Sequence, residues 1–475
     1  MSTNISRRKV VAGAAWAAPV VAASAAVPAF ASSTECAYAS APKFNISGQP
    51  SGAKNTQKFT VPAKVDKIRF EVAGGAGGGS NQVAGGSGAL VTGEIPVKEG
   101  QVIELVAAAG GVAYLASEPG VDSPSLWQTR PATGGKGYGN GGDVNEQPVP
   151  ADAKARVDAI WSKPSDMKRY LYGGSGGGSS ALVIDGTPVA VAGGGGGAGI
   201  RTQPGTNNMP SGDKFYNPKA VDAGTTRLSD PDVKSVLPAG ASASAATGDS
   251  AETSISHYTV LKPFTTPGTA MKVAGGNGGG NGQGGAGGEQ PKLYDLANVY
   301  GVLGFKSQNK QELFSSSTAG DTGGSGYDGK GADGVFAYSY QIDNNDISKL
   351  EIVHATNPVN LKDTTSLKEE STRKSFNGYQ TVVSAGGGAG YGGGGSGAAR
   401  GLSAIITSQK WNANEEPTRY RQNVSALLQA GAGGAGGSYV APGVAGGAIA
   451  SANNGAHESG VRNPGYVKVT LCERS

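Results

Sequence analysis

Short apolar runs that end abruptly in glycine recur along this chain of 475 residues. Each run contains the β-branched and small apolar residues typical of a strand, then stops at an alanine or a serine before nearly pure glycine. Five such junctions lie at 68–79, 189–197, 271–288, 381–397 and 427–437. The repetition predicts strands that lead directly into glycine tracts.

The glycine tracts need a physical explanation, because glycine loses more backbone freedom on ordering than any other residue and has no side chain to bury. Such a tract is either a flexible linker or an extended helix with three residues per turn that must hydrogen-bond to its neighbours. Each tract here adjoins a β-type run and contains Ala, Asn or Tyr, in place of the serine-rich spacing of a tether. This favours an ordered bundle of glycine helices, and the linker interpretation stays open.

Other short runs have β character and are bounded by glycine or proline, namely 59–62, 89–95, 101–106 and 465–471. Their connections are too short for helical crossovers, which favours antiparallel pairing. The predicted fold is mainly β: an antiparallel β-sandwich threaded by a bundle of polyglycine II helices, with mixed loop and helix insertions. The insertions are expected near 117–172, 201–270, 290–318, 338–379 and 401–429.

The first 31 residues have the pattern of a secretory signal. Paired Arg7 and Arg8 precede an alanine-rich stretch that ends at 29–31 in Ala-Phe-Ala, a small-residue cleavage pattern. The segment resembles a twin-arginine signal, although valines stand at 10–11 where Phe-Leu is usual. We expect residues 1–31 to be removed and 32–475 to form a single glycine-rich domain. A membrane anchor is the alternative, disfavoured by the short apolar run, and no membrane span is expected after signal removal.

Net charge and cysteine content narrow the function classes. The formal charge is +4, and the leader holds Arg7, Arg8 and Lys9 with no acidic residue, which leaves +1 for the remainder. A nearly neutral chain without a Lys/Arg stripe is a poor match to nucleic acid, so no nucleic-acid partner is expected. The two cysteines, Cys36 and Cys472, predict a disulfide in an oxidising destination, although two separate thiols remain the alternative.

Three islands of sequence resemble the glycine-rich domain family of bacterial surface proteins, phage adhesins and the extracellular glycine-rich region of anaplastic lymphoma receptor kinase. The islands are 59–79, 173–199 and 438–471, and they are distributed across most of the predicted mature chain. The resemblance implies a β-sandwich threaded by glycine helices. It also implies a function in adhesion or recognition, not catalysis.

Catalytic, cofactor and metal motifs are not expected from the residue pattern. The three histidines stand alone, without the spacing of a metal or catalytic motif. The segment 323–328 matches the first six positions of a calcium-binding repeat, which makes Asp328 and Asp333 calcium candidates. Because Lys330 stands where that repeat needs an apolar residue, and the repeat occurs once, a simple glycine turn is favoured.

Aromatic residues fall into two sets. Those in the predicted insertions offer flat apolar faces that suit sugar rings or protein partners, although packing against the scaffold is the alternative. These candidate ligand contacts are Trp127, Trp161, Trp411 and Tyr420. The other set lies inside glycine-rich segments and is expected to cover the glycine bundle. It comprises Tyr138, Tyr327, Tyr391 and Tyr439.

These patterns together predict a secreted structural or adhesive protein without catalytic activity, either extracellular or held non-covalently at the cell surface. Its expected partners are cell-wall or host-surface polymers or proteins, and self-assembly is a further expectation. One alternative is a secreted hydrolase acting on envelope polysaccharide, which would need a carboxylate pair in a cleft. Another alternative is an ice-binding protein, against which the long insertions argue.

Overall fold

Strands account for the regular structure of the residues described by the computed structural model. Those residues are 36–79, 83–115, 129–147, 169–201, 243, 246–251, 253–257, 270–291, 310–313, 316–342, 376–410, 418–455 and 459–474. They contain no α-helix and form several antiparallel sheets, one of them curled into a half-barrel. The mainly β prediction is confirmed. The predicted signal segment, residues 1–31, lies outside these residues.

The described strands are numbered in chain order. They are β1 (Ala37–Tyr38), β2 (Phe44–Ser47), β3 (Asn55–Thr60), β4 (Val65–Ala73), β5 (Ala89–Pro96), β6 (Val102–Ala107), β7 (Tyr114–Leu115), β8 (Thr129–Arg130), β9 (Arg169–Tyr172), β10 (Ser180–Ile184), β11 (Thr187–Ala192), β12 (Ile200–Arg201), β13 (Ser254–His257), β14 (Ala270–Val273), β15 (Lys310–Leu313), β16 (Ser316–Thr318), β17 (Phe336–Ile342), β18 (Phe376–Val383), β19 (Ala399–Lys410), β20 (Thr418–Ala430), β21 (Tyr439–Val440), β22 (Ala445–Ser451) and β23 (Tyr466–Glu473).

Two antiparallel sheets share the larger hydrophobic core. One has the order β1-β23-β4-β5-β22 with β2 also paired to β23, and the other has the order β21-β11-β10-β6-β3. Alternate residues of β4, including Ile68 and Phe70, are buried in one cluster with Ile103 of β6 and Leu182 of β10. The two-residue side-chain period of a strand places these residues on one face. The alternation in sequence therefore defines which face of β4 is buried.

A second core forms where β9, β17, β18, β19 and β20 meet. It contains Leu171, Val382 and Leu428, all nearly inaccessible to solvent. In the three-stranded sheet β17-β18-β9, the pairing of β18 with β9 is parallel, unlike the antiparallel pairs of the two larger sheets. The predicted insertion at 401–429 covers most of the long β19–β20 pair, which begins where Ala399 pairs with Ala430.

The glycine tracts bond to one another through their backbones. In the tract 193–198, residues three positions apart donate to the same neighbouring tract. The bonds run from Gly194 N to Ala389 O, Gly197 N to Gly386 O, Gly195 N to Gly75 O and Ala198 N to Gly78 O. A repeat of three differs from the two-residue period of a strand and the 3.6-residue period of an α-helix. The tracts are thus a distinct, ordered layer of the fold.

Close backbone approach explains why this layer is glycine. A Cβ added at Gly195 would come closer than 3.0 Å to the carbonyl oxygen of Gly86, a separation that real Cβ atoms essentially never show. Alanine occurs where the packing has room for a methyl group, as at the fully buried Ala76, Ala389 and Ala435. The tracts therefore pack by contact between main chains.

Several tracts fold back on themselves as glycine hairpins. Their reversals are closed by bonds from Gly141 N to Gly135 O, Asn277 N to Ala286 O, Gly324 N to Lys330 O and Gly394 N to Gly388 O. The hairpin at 134–142 lies inside the segment 117–172 that the sequence analysis assigns to an insertion. The glycine content of 134–142 could have identified it as a further glycine tract. No apolar run directly precedes it, so it does not match the strand-to-glycine pattern of the other tracts.

The predicted disulfide between Cys36 and Cys472 is present, with Cα atoms 5.3 Å apart. It lies beside the pairing of β1 with β23, in which Tyr38 stands opposite Cys472. The bond therefore ties together the first and the last described strands. A disulfide of this kind indicates an oxidising, extracellular type of compartment.

Tyr38, next to this disulfide, has an unusual environment. Its hydroxyl is screened from solvent, and the Arg69 guanidinium lies 4.1 Å from the ring centroid. Burial, followed by the nearness of the Glu94 carboxylate, raises the pKa of Tyr38 to about 12, although Arg69 acts in the opposite direction. The folded protein therefore holds the Tyr38 proton more tightly than the unfolded chain does.

The raised pKa of Tyr38 predicts a specific alkaline loss of stability. Its contribution is fully present below the unfolded pKa of about 10 and is lost as the pH rises from about 10 to about 12. The Tyr38→Phe variant keeps the ring under Arg69 but cannot ionise. We expect the free energy of unfolding of the wild type, measured by urea denaturation, to fall relative to that of Tyr38→Phe as the pH rises through this interval. A difference independent of pH would contradict the assignment.

Candidate functional site

Four tyrosines come together where the glycine hairpins turn. Tyr138 lies in the bend 137–139, Tyr327 in the turn 326–328, Tyr391 in the bend 391–392, and Tyr439 begins β21. The ring centroids are 4.8 Å apart for Tyr327 and Tyr391, 4.9 Å for Tyr327 and Tyr439, and 5.1 Å for Tyr391 and Tyr439. Residues far apart in sequence thus form one group, here called the tyrosine cluster.

Backbone bonds between the turns hold these rings in place. Gly392 N donates to Gly326 O at 2.9 Å, and Gly326 N donates to Gly282 O at 3.0 Å. All three glycines have positive φ angles, between 72° and 99°, a region open mainly to glycine. A Cβ at Gly282 would also lie 3.0 Å from Cε2 of the Tyr391 ring. Glycine at these turns therefore allows the three loops to converge beneath the tyrosines.

The cluster also rests on the five-stranded sheet. Tyr138 and Tyr439 pack against Ala181, Val183 and Val191, which are buried residues of β10 and β11. Tyr439 pairs with Val191 through the backbone, in the β21–β11 ladder. The aromatic group is thus supported by both the strands and the glycine hairpins.

Exposure differs among the four rings. Tyr327 is 38% exposed, whereas Tyr138, Tyr391 and Tyr439 are half-buried. Burial, and then the hydrogen bond with Tyr327, raises the pKa of Tyr439. Burial, and then the Asp328 carboxylate, raises the pKa of Tyr138. Tyr138 and Tyr439 are therefore neutral at neutral pH, and the cluster presents an aromatic surface with the exposed Asp328 beside it.

The two calcium candidates differ in their contacts. Asp333 accepts a hydrogen bond from Asp143 N at 2.7 Å through Oδ1 and pairs with Lys330 Nζ at 2.7 Å through Oδ2. Asp328 is exposed in the turn that carries Tyr327. Within the described ranges, no three or more His, Cys, Asp or Glu side chains are grouped so that they could hold a metal ion. Calcium binding here stays a prediction.

The structure does not describe the side chains of the candidate ligand contacts from the insertions. Trp127, Trp161 and Trp411 lie outside the described residues. Tyr420 lies in β20 opposite Ser408, and its side chain is also outside the description. By contrast, the expectation that tyrosines inside glycine-rich segments cover the glycine bundle pointed to the residues of this cluster, because all four of its members lie in such segments.

Comparison with known proteins yields no assignment: no protein-family model matches the chain, and no curated protein matches it significantly. The resemblance to glycine-rich adhesive domains rests on the sequence islands 59–79, 173–199 and 438–471 and stays a prediction. Where the chain is described, it has no helix with the length and apolar character needed to cross a membrane.

Proposed function

We propose that this is an extracellular structural and adhesive protein without catalytic activity. In this proposal, a polyglycine II bundle and a β-sandwich form a rigid support for exposed binding surfaces. The observation that carries it is the three-residue repeat of backbone hydrogen bonds between glycine tracts in 193–198. Such bonds form only between precisely aligned main chains, which suits a support better than a flexible tether.

The sandwich part of the proposal is supported by the shared core of the two larger sheets, in which Phe70 and Leu182 belong to one buried cluster. The helical part is supported by the period of three, which is that of a polyproline II-type helix without internal hydrogen bonds. Each neighbour satisfies the backbone groups that such a helix leaves free. Local opening must break bonds to several tracts at once, so the bundle resists it.

The adhesive part of the proposal is supported by the tyrosine cluster. Tyrosine combines a large apolar face with a polar tip and is enriched in interface residues that dominate binding. Tyr327 is the most exposed ring of the cluster and stands on the rigid hairpin turns. We propose that cell-wall or host-surface polymers, or surface proteins, contact the protein here and through the predicted insertions. The hydrolase and ice-binding alternatives stay predictions.

Co-sedimentation of the exported protein with insoluble walls of the producing cells tests this proposal. We expect saturable binding by the wild type, and about tenfold weaker binding by Tyr327→Ala, since an interface residue of this type contributes on the order of 1–2 kcal/mol. Tyr114→Ala is the matched control, because Tyr114 is 37% exposed and lies outside the cluster. Release of soluble wall fragments would instead support the hydrolase, and absence of both binding and release would refute adhesion to these walls.

A further inference from the structure

The tyrosine cluster has a geometry that binding alone does not require. The Tyr327 ring lies in contact with two other phenols, Tyr391 in a nearly parallel stack with 20° between the planes and Tyr439 edge-on at 76°. Tyr327 is also the ring that solvent reaches most easily, at 38% exposure. An exposed phenol thus has two phenol neighbours already within contact.

We propose that the tyrosine cluster is a site of oxidative cross-linking, in which Tyr327 becomes joined to Tyr391 or Tyr439 through a carbon–carbon bond. The oxidant is of the haem peroxidase class, with hydrogen peroxide as the terminal electron acceptor. The disulfide between Cys36 and Cys472 indicates a compartment in which oxidation is maintained. This modification would occur whether or not the protein also binds a surface polymer.

The chemistry balances as a two-electron oxidation. The peroxidase withdraws one electron from each of two phenols, and each hydroxyl gives up its proton to become a phenoxyl radical. The radicals combine at the carbons ortho to the oxygens, and each of these carbons then returns its hydrogen to the phenolic oxygen. The linked pair has lost two hydrogen atoms, which reduce one molecule of hydrogen peroxide to two molecules of water.

Pre-organisation favours linkage within one chain over linkage between chains. The Tyr327 and Tyr391 turns are tied by the bond from Gly392 N to Gly326 O, and Tyr391 N donates to Gly437 O at 2.8 Å, two residues before Tyr439. The hydrogen bond between Tyr439 and Tyr327 brings together the hydroxyl ends of the rings, next to the carbons that couple. A partner held in place by short connections has an effective concentration in the millimolar range or above, which exceeds that of a second molecule in micromolar solution.

The product would link covalently loops that are otherwise joined only by non-covalent contacts. Tyr327, Tyr391 and Tyr439 belong to three separate glycine-rich segments, and the disulfide ties two further strands together. We therefore infer that the tyrosine cross-link forms after folding and, in addition to the disulfide, stabilises the glycine scaffold covalently. Only the folded protein brings the three rings together, so the specific cross-link forms only in correctly folded molecules.

Peroxidase treatment of the folded, exported protein with limiting hydrogen peroxide tests the proposal. Trypsin places the three tyrosines on separate peptides, 311–330, 375–400 and 422–462. We expect blue dityrosine fluorescence and a linked pair that contains 311–330 together with 375–400 or 422–462, lighter by two hydrogen atoms. Tyr327→Phe keeps the ring packing but cannot form a phenoxyl radical, and should lose this pair. Tyr114→Phe should retain it.

Two further readouts separate the proposal from non-specific oxidation. Circular dichroism and the urea midpoint establish that Tyr327→Phe remains folded, and wild type oxidised in concentrated urea should lose the specific pair. The proposal is overturned if the linked peptides lack 311–330, if Tyr327→Phe yields the same product, or if the product consists only of covalent dimers. It is equally overturned if folded wild type gives no cross-link while free tyrosine in the same reaction does.

Discussion

Replacing Gly195 with alanine is expected to lower the free energy of unfolding by more than about 4 kcal/mol, beyond the usual range for a point mutation. The added Cβ would meet the backbone carbonyl of Gly86 inside 3.0 Å. A main chain held by bonds on several sides cannot move aside as a flexible side chain would, so the clash must separate whole tracts. Urea denaturation measures the loss.

Gly443→Ala is the control for this experiment. Gly443 has a φ of 91°, and a Cβ there would meet no atom within 4 Å. Its substitution should therefore cost only the backbone strain of a positive φ, about 1–2 kcal/mol. If Gly195→Ala and Gly443→Ala are equally stable, the tracts are not packed against one another as described.

Removing the disulfide is expected to have the second large effect. The Cys36–Cys472 bond closes a loop with a sequence separation of 436 residues. On the loop-entropy relation, a loop of that length constrains the unfolded chain by up to about 6 kcal/mol. The variant with both Cys36→Ser and Cys472→Ser should show a correspondingly lower urea midpoint.

Reductant provides the internal control for the disulfide prediction. It should lower the urea midpoint of the wild type toward that of the double variant and leave the double variant unchanged, because no other cysteine is present. If the double variant unfolds at the wild-type midpoint, the bond does not constrain the unfolded chain. The stability would then come from the cores and the glycine layer alone.

A scaffold of this kind separates support from recognition. Glycines contribute backbone hydrogen bonds but no side chains, so under the proposed function recognition comes from residues at turns and insertions. Tyr327 and Asp328 occupy such a turn, next to the positive-φ Gly326. Sequence change at these turns could then alter the ligand without disturbing the tract contacts beneath, as is general for loops on a rigid framework.

Much of the β structure could be predicted from local patterns. The run at 68–73 alternates, and β4 buries Ile68, Phe70 and Val72 accordingly. The cysteine pair was predicted from number and compartment, and the disulfide is present. The parallel pairing of β9 with β18 could not be predicted, because it depends on segments separated by some two hundred residues and on no local signal.

The tyrosine cluster was only partly predictable. Sequence placed Tyr138, Tyr327, Tyr391 and Tyr439 inside glycine-rich segments, and this indicated that their rings cover the glycine bundle. It did not indicate that three of the rings touch, because that contact depends on the bonds that join the turns at Gly282, Gly326 and Gly392. Those bonds involve main-chain atoms, which are the same in every residue except proline.

The sequence by itself determined the alternation of strands with glycine tracts, the buried face of alternating strands such as β4, and the pair of cysteines. Tertiary structure alone decided which tract lies beside which, how the glycine hairpins fold back, and which tyrosines meet. The physical reason is that apolar side chains carry their burial preference in their identity, whereas one glycine tract offers the same backbone donors and acceptors as another. Only the packing of the whole chain selects among them.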